Sequence, residues 1–249
     1  METFSLLLKS LDQTITRESL EEASDSAASV ARADCPRLLR ENSGILVSYL
    51  PSEEAHAFQA ALACRGYETE VVADAALPVL HETYQIQRVE TRDEVLVLTD
   101  SMGRERIRPF TDLVFLAAGF LNRIEFKSEW RQTIETPKRS HYGPPMQKLV
   151  SKIEHVEETE QVFRMDFFFW AEPNRFHLLL TNETSIFHQG TPIRMKLRAA
   201  IERMMSDLAK LLPPERLNRP MREPAVPRVY PSLTSYENEI RWHFHRLKS

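Results

Sequence analysis

Residues 166–180 read DFFFWAEPNRFHLLL, and the reading of this stretch decides what the rest of the chain must be. Four aromatics beside a triple leucine suit a membrane-facing patch, a base-stacking platform or the inside of a sheet. Residue period separates the three. Taken with the preceding QVFRM, the stretch 161–170 puts Phe163, Met165, Phe167 and Phe169 on one face of a strand, and Arg164, Asp166, Phe168 and Trp170 on the other. Glu172-Pro173-Asn174 reads as a turn, and RFHLLLTN (175–182) returns with Phe176, Leu178 and Leu180 on one face. The pair is a hairpin whose apolar face points at a core. A stacking platform interleaves its rings with basic residues, whereas the second face offers Arg164 and Asp166, read here as solvated. Phe168 and Trp170 remain as rings covered by another part of the chain or left exposed for a partner.

An apolar hairpin face needs something to cover it. TSIFHQG (184–190) reads as another strand, and Thr191-Pro192 then opens a helix carrying Leu197, Ile201, Met204, Met205, Leu208, Leu211 and Leu212 at three-and-four spacing. Such a stripe, with lysines and arginines opposite, suits a membrane or partner surface, but any helix that covers a sheet carries it. Phe167, Phe169, Leu178 and Leu180 are therefore expected to be buried between the sheet and the helix of 193–212.

Upstream, TYQIQRVET (83–91), EVLVLTD (94–100), RERIRPF (104–110) and DLVFLAAG (112–119) read as consecutive short strands, with Asp100-Ser101-Met102-Gly103 as a hairpin turn. Residues 120–145 carry little pattern, and ETPKRSHYGPP (135–145) is a loop by composition. MQKLVSKIEHVEE (146–158) reads as a short amphipathic helix through Leu149, Ile153 and Val156. Seven strands from residue 83 followed by one long helix is the order of a pleckstrin-homology-like domain, and GRERIRPFTDLVFLAAG (103–119) resembles the third and fourth strands of its bacterial members. The resemblance implies an antiparallel barrel over residues 83–212, closed at one end by the helix. Prolines 213, 214, 220, 224, 227 and 231 make 213–232 an extended strap and not a helix. The remainder of 213–249 ends in TSYENEIRWHFHRL (234–247), a helix with Tyr236, Ile240, Phe244 and Leu247 on one face.

The first 75 residues read differently. FSLLLK (4–9) is an apolar strand, Thr16 caps a helix with Leu20, Ala23, Ala27 and Val30 on one stripe, and Pro36 opens a second short helix. ILVSYL (45–50), a helix from Pro51-Ser52-Glu53-Glu54 to Gly66, and YETEVV (67–72) complete a βααβαβ order, followed by a linker at 76–82. The segment VSYLPSEEAHAFQAALACRGYETEVV resembles the C-terminal domain of the bacterial ribosomal stalk protein and the similarly folded adaptor of the Clp protease. In that adaptor family an acidic, asparagine-containing loop after the first strand receives the N-terminal amine of a substrate. Here the loop is KSLDQT (9–14), so Asp12 and Thr14 correspond while the asparagine is missing. What the resemblance implies is a small α/β domain used for protein contacts.

Composition excludes more chemistry than it offers. With 42% hydrophobic and 27% charged residues in 249, the chain can build one or two packed cores. Its longest uncharged apolar run, Leu113–Asn122, is far shorter than the roughly 20 residues of a membrane helix, and the N-terminus has no basic leader, so a cytoplasmic location is expected. Six glycines at 44, 66, 103, 119, 143 and 190 lie too far apart for a dinucleotide fingerprint, a phosphate loop or a nucleophile elbow. Cys35 and Cys64 are too few for a disulfide framework or a thiolate metal site. His243 and His245, two apart on a helix, point about 200° away from each other and share no metal. His177 and His188 sit on neighbouring strands and are read as structural. Glu157, Glu158 and Glu160 stand in no apolar setting that would raise a pKa. Residues 1–80 hold 13 acids against 6 bases, and residues 190–249 hold 12 bases against 6 acids. The basic end reads as a solvated face or a contact with the acidic end, ahead of nucleic acid or anionic lipid.

The expectation is an α+β, non-enzymatic interaction or scaffolding protein whose partner is another protein and which needs no cofactor. Candidate contacts are Asp12, Thr14, Phe168 and Trp170, with His141 and Tyr142 in KRSHYG (138–143). That last loop is also where an enzyme with a non-standard site between the domains would place its groups.

Overall fold

The structure, a computed structural model, describes residues 2–135, 148–172, 174–226 and 228–248, with side chains outside 125–158. It is α+β. The chain starts with β1 (Phe4–Leu8), α1 (Arg17–Ser24), α2 (Cys35–Glu41), β2 (Ile45–Leu50), α3 (Ser52–Ala63) and β3 (Thr69–Ala73), the βααβαβ order read from the sequence. Thr16 caps α1, its hydroxyl accepting from the Ser19 amide at 3.3 Å. β1 lies between β2 and β3 and is antiparallel to both. Its leucines serve two faces. Leu6 and Leu8 pack with Leu20, Phe58 and Leu62 of the helices, and Leu7 faces Ile45, Val72 and Trp242 on the other side. A strand covered on both faces reads as a continuous apolar run.

Then follow β4 (Tyr84–Ile86), β5 (Arg88–Arg92), β6 (Val95–Thr99), β7 (Glu105–Pro109), β8 (Leu113–Glu135), β9 (Lys148–Phe169), β10 (Arg175–Leu180), β11 (Ser185–His188), β12 (Thr191–Arg194) and α4 (Arg198–Ala209). With β13 (Val229–Tyr230) they form two five-stranded sheets, ordered β13-β8-β9-β10-β4 and β12-β11-β5-β6-β7. No closed barrel is found among the described residues. The chain passes between sheets at Gln87 from β4 to β5, through Phe110–Asp112 from β7 to β8 and through Thr181–Thr184 from β10 to β11, and the pairs β4–β10 and β5–β11 run parallel. The core lies where the apolar faces of both sheets meet α4. It joins Val89, Leu96 and Leu98 to Phe163, Phe167, Phe169, Leu178 and Leu180, and these to Ile201, Met204 and Leu208.

Four elements differ from their sequence reading. TYQIQRVET is two strands, because the chain changes sheets at Gln87, whose amide donates to the Thr99 carbonyl. Residues 120–135 continue β8, and the helix expected at 146–158 is, from Lys148 on, the start of β9. Val150, Ile153, Val156 and Thr159 are β-branched and suit a strand despite the helical spacing of the apolar positions. Thr191-Pro192 does not open α4. Gln189 and Gly190, at φ 49° and 72°, form a two-residue hairpin turn that makes 191–194 an edge strand, where proline is tolerated, and Leu197 is exposed before the helix begins. His177 and His188 accordingly lie in different sheets.

The proline segment is extended except for a 3-10 turn at Pro214–Arg216 and the short helix α5 (Arg219–Arg222), which Pro220 opens and Asn218 caps. Asn218 is fully buried and fastens this segment to β8: its amide side chain accepts from the Ala118 N–H at 3.0 Å and donates to the Ala118 carbonyl at 2.8 Å. Gly119 leaves room there for the Tyr230 ring, which a Cβ would strike. The last helix, α6 (Leu233–Lys248), ties the two regions together. Trp242 lies on Gly44 and donates its indole N–H to the Leu8 carbonyl at 2.6 Å, Ser235 bonds Ser43, and Arg246 pairs with Glu70 at 2.8 Å. Residues 1–122 and 161–249 make one compact unit, and 123–160 another. Among the described residues no helix is long and apolar enough to cross a membrane.

Candidate functional site

The second face of β9 is not solvated. Asp166 is completely buried and Arg164 nearly so, a correction to the sequence reading with a clear cause: α6 lies over them. Asp166 accepts from Arg164 Nε at 2.7 Å and Nη2 at 3.0 Å, from Arg175 Nε at 2.9 Å, and from the Tyr236 hydroxyl at 3.0 Å. Arg175 also donates to Glu237 at 2.8 Å and to the His81 carbonyl at 3.3 Å. Two guanidinium groups thus meet two carboxylates, and the charge closes on itself. Burial alone would raise the Asp166 pKa, but the arginines outweigh it and the group is held below its ordinary value. Burial and the neighbouring Arg164 act together on His177, which falls to about 4 and takes its hydrogen bond with the Thr83 hydroxyl at 2.7 Å.

A second buried cluster holds the other side of α6. Glu239 accepts from the Arg219 amide at 3.0 Å and from its guanidinium at 2.6 Å, while Arg219 also donates to the Leu11 carbonyl. Burial works against the Glu239 charge, yet His243 and Arg219 hold it at about 2. For the His243 imidazole burial is the stronger influence, and its pKa is lowered. Both acids therefore act as fixed anions that bind elements to one another.

Where β9 ends, this face opens. Phe168 is covered by Phe115 and Phe244, with ring centroids 6.1 and 5.1 Å away. Trp170, at the first residue of the turn, is 71% exposed. Its backbone is fixed by the amide donating to Asp112 at 3.0 Å, and the Phe169 amide closes the turn on Asn174 at 2.8 Å. Beside it is a groove of about 280 Å³ between Val79 and Leu80, Phe168 and Trp170, and Phe244 and Leu247 of α6. The charged residues in its wall are Arg175 and Lys248. Val79 at 77% and Leu247 at 41% exposure form the rim. A rigid aromatic standing over an apolar hollow is the arrangement that concentrates energy in protein contacts.

Asp12 and Thr14 are exposed on the loop between β1 and α1 and line a separate cavity of about 490 Å³ with Arg219 and Arg228. The structure therefore brings Phe168 and Trp170 together and leaves Asp12 and Thr14 elsewhere, while His141 and Tyr142 lie outside the described residues. Sequence reasoning missed Glu239 and His243, although both fall on the Tyr236–Ile240–Phe244 stripe, where a charged residue needs a buried partner. Among the described residues no group of three or more His, Cys, Asp or Glu is placed to hold a metal ion. Comparisons with family models, curated proteins and solved structures find no match.

Proposed function

We propose that this chain is a cytoplasmic interaction protein that docks another protein on the groove beside Trp170, receiving an apolar side chain. What carries the reading is the exposure of Trp170, a large ring on a fixed backbone over an apolar hollow. The buried ion pairs support it from the other direction, since their charges are spent on holding α6 in place and form one wall of the groove. The resemblance of residues 1–75 to the stalk-protein and Clp-adaptor fold rests on the shared βααβαβ order, and the likeness of 83–212 to a pleckstrin-homology-like body rests on two sheets capped by α4.

The test is a photo-crosslinking amino acid at position 170, with position 102 as the control because Met102 is equally exposed at 76%. In cells that express the protein, a discrete adduct at 170 that Leu247→Asp abolishes supports the groove. Adducts that are the same at 170 and 102, or indifferent to Leu247→Asp, contradict it.

A further inference from the structure

A second surface, independent of Trp170, lies at the edge of the three-stranded sheet. β2 is the last strand of that sheet, with β1 on one side and no strand on the other. Among the described residues, no backbone hydrogen bond of Ile45–Leu50 goes anywhere except to β1. One row of N–H and C=O groups is therefore left facing outward. Natural proteins cover or blunt such an edge, because it is a template for another strand.

Here the edge is the floor of a slot. All six residues of β2 line a cavity of about 400 Å³ whose one wall is Arg37, Leu38 and Glu41 of α2 and whose other wall is Thr234, Asn238 and Arg241 of α6. The helix α2 packs on one face of the sheet and α6 on the other. A space bounded by both helices and by the whole of β2 has to lie along its free edge. We propose that this slot takes up an extended, uncharged peptide segment of a partner as a fourth strand paired to β2.

Three observations choose that occupant. The walls stand on both sides of the edge, which admits a single extended chain and excludes the edge of a second folded sheet, including that of another copy. Six residues of strand span about 20 Å, a length matched to a short peptide. The charges lining the slot balance, with Arg37 between Asp34 at 3.6 Å and Glu41 at 3.5 Å and Arg241 as the second cation, so the slot favours backbone over a charged side chain.

Tyr49 adds a fourth sign. Among the described residues three non-glycines have positive φ, and Asp93 and Gln189 occupy two-residue hairpin turns. Tyr49 is inside a strand at φ 66°, next to an irregular β1–β2 register, with its ring 72% exposed at the slot. Strain held at an exposed aromatic is the kind of backbone feature that accompanies a ligand clamp, and a bulged strand re-aims its side chain.

The probe is a seven-residue peptide of alternating threonine and valine, acetylated and amidated at its ends, added to the full chain and followed by NMR amide hydrogen exchange. The β2 amides that point away from β1 should exchange at least about tenfold more slowly with the peptide than without it. The same peptide N-methylated at alternate residues, which cannot complete the ladder, should leave them unchanged. Tyr49→Gly, which relieves the strain, should keep or raise the melting temperature and weaken the peptide about tenfold. The proposal is overturned if these amides are already protected in the free protein, if the peptide does not slow them, or if the N-methylated peptide slows them equally. Unchanged peptide affinity in Tyr49→Gly overturns the clamp assigned to Tyr49.

Discussion

The two faces of β9 are buried by opposite means. One face presents Phe163, Met165, Phe167 and Phe169 to the second sheet and α4, and holds by area and packing alone. The other presents Arg164, Asp166 and Phe168 to α6, and is as buried only because Arg175, Tyr236 and Glu237 complete the charge and hydrogen bonding of Asp166 and its partners. The apolar face tolerates whatever fits its volume, whereas the polar face depends on each partner being present. Two residues farther on, at Trp170, α6 no longer covers the strand and the same face becomes the proposed contact surface.

The largest effect that would break this contrast is Asp166→Ala. It leaves two buried guanidinium groups without their shared acceptor and should cost about 3–5 kcal/mol in urea unfolding. Phe167→Ala should cost a similar amount, about 3–5 kcal/mol, through a cavity instead of an unpaired charge. Salt and pH tell them apart: the apolar loss is nearly independent of pH, while the loss at Asp166 shrinks in acid as the wild-type carboxylate itself is protonated.

Acid sharpens the comparison further. Glu239 is held at about 2 against an ordinary 4.5, so its stabilising contribution is complete above about 4.5 and is lost as pH falls toward 2, on the order of 3 kcal/mol. His177 runs through a different window. Its imidazole is lowered to about 4 from 6.5, so the unfolded chain takes up the proton first, and stability declines as pH falls from about 6.5 to 4. His177→Gln should reduce the fall in melting temperature across that window without abolishing it, because burial also lowers His188 and His243, and should leave the loss below pH 4 in place. The smallest effect is that of Trp170→Ala. At 71% exposure it should change stability by no more than about 0.5 kcal/mol while removing the crosslinked partner.

The apolar face was readable because alternation in 163–169 and 176–180 states which side is inward, and the helical stripe of Ile201, Met204 and Leu208 supplies its cover. The βααβαβ order was readable for the same reason, each element carrying its own period and cap. The polar face was not. An arginine and an aspartate in alternating positions carry the pattern of a solvated face, and only the distant stripe of α6, some 70 residues on, reveals that they are internal. Its own charged members, Glu239 and His243, were the available signal. The sheet change at Gln87 and the hairpin at Gln189-Gly190 were hidden for a related reason: they depend on pairing with strands far along the chain, which no local period encodes. The exposure of Trp170 was left as one of two outcomes, because it depends on where α6 ends relative to β9.

The central claim, that α6 closes the charged face of β9 through Asp166, is tested most directly by a double-mutant cycle between Asp166→Ala and Tyr236→Phe, read by urea unfolding. The hydroxyl and the carboxylate are 3.0 Å apart, and a hydrogen bond to a charged group should appear as a coupling of about 1.5–3 kcal/mol. If the two substitutions add within about 0.5 kcal/mol, Tyr236 does not touch Asp166, the helix does not cover that face, and the account of both the buried network and the Trp170 groove fails.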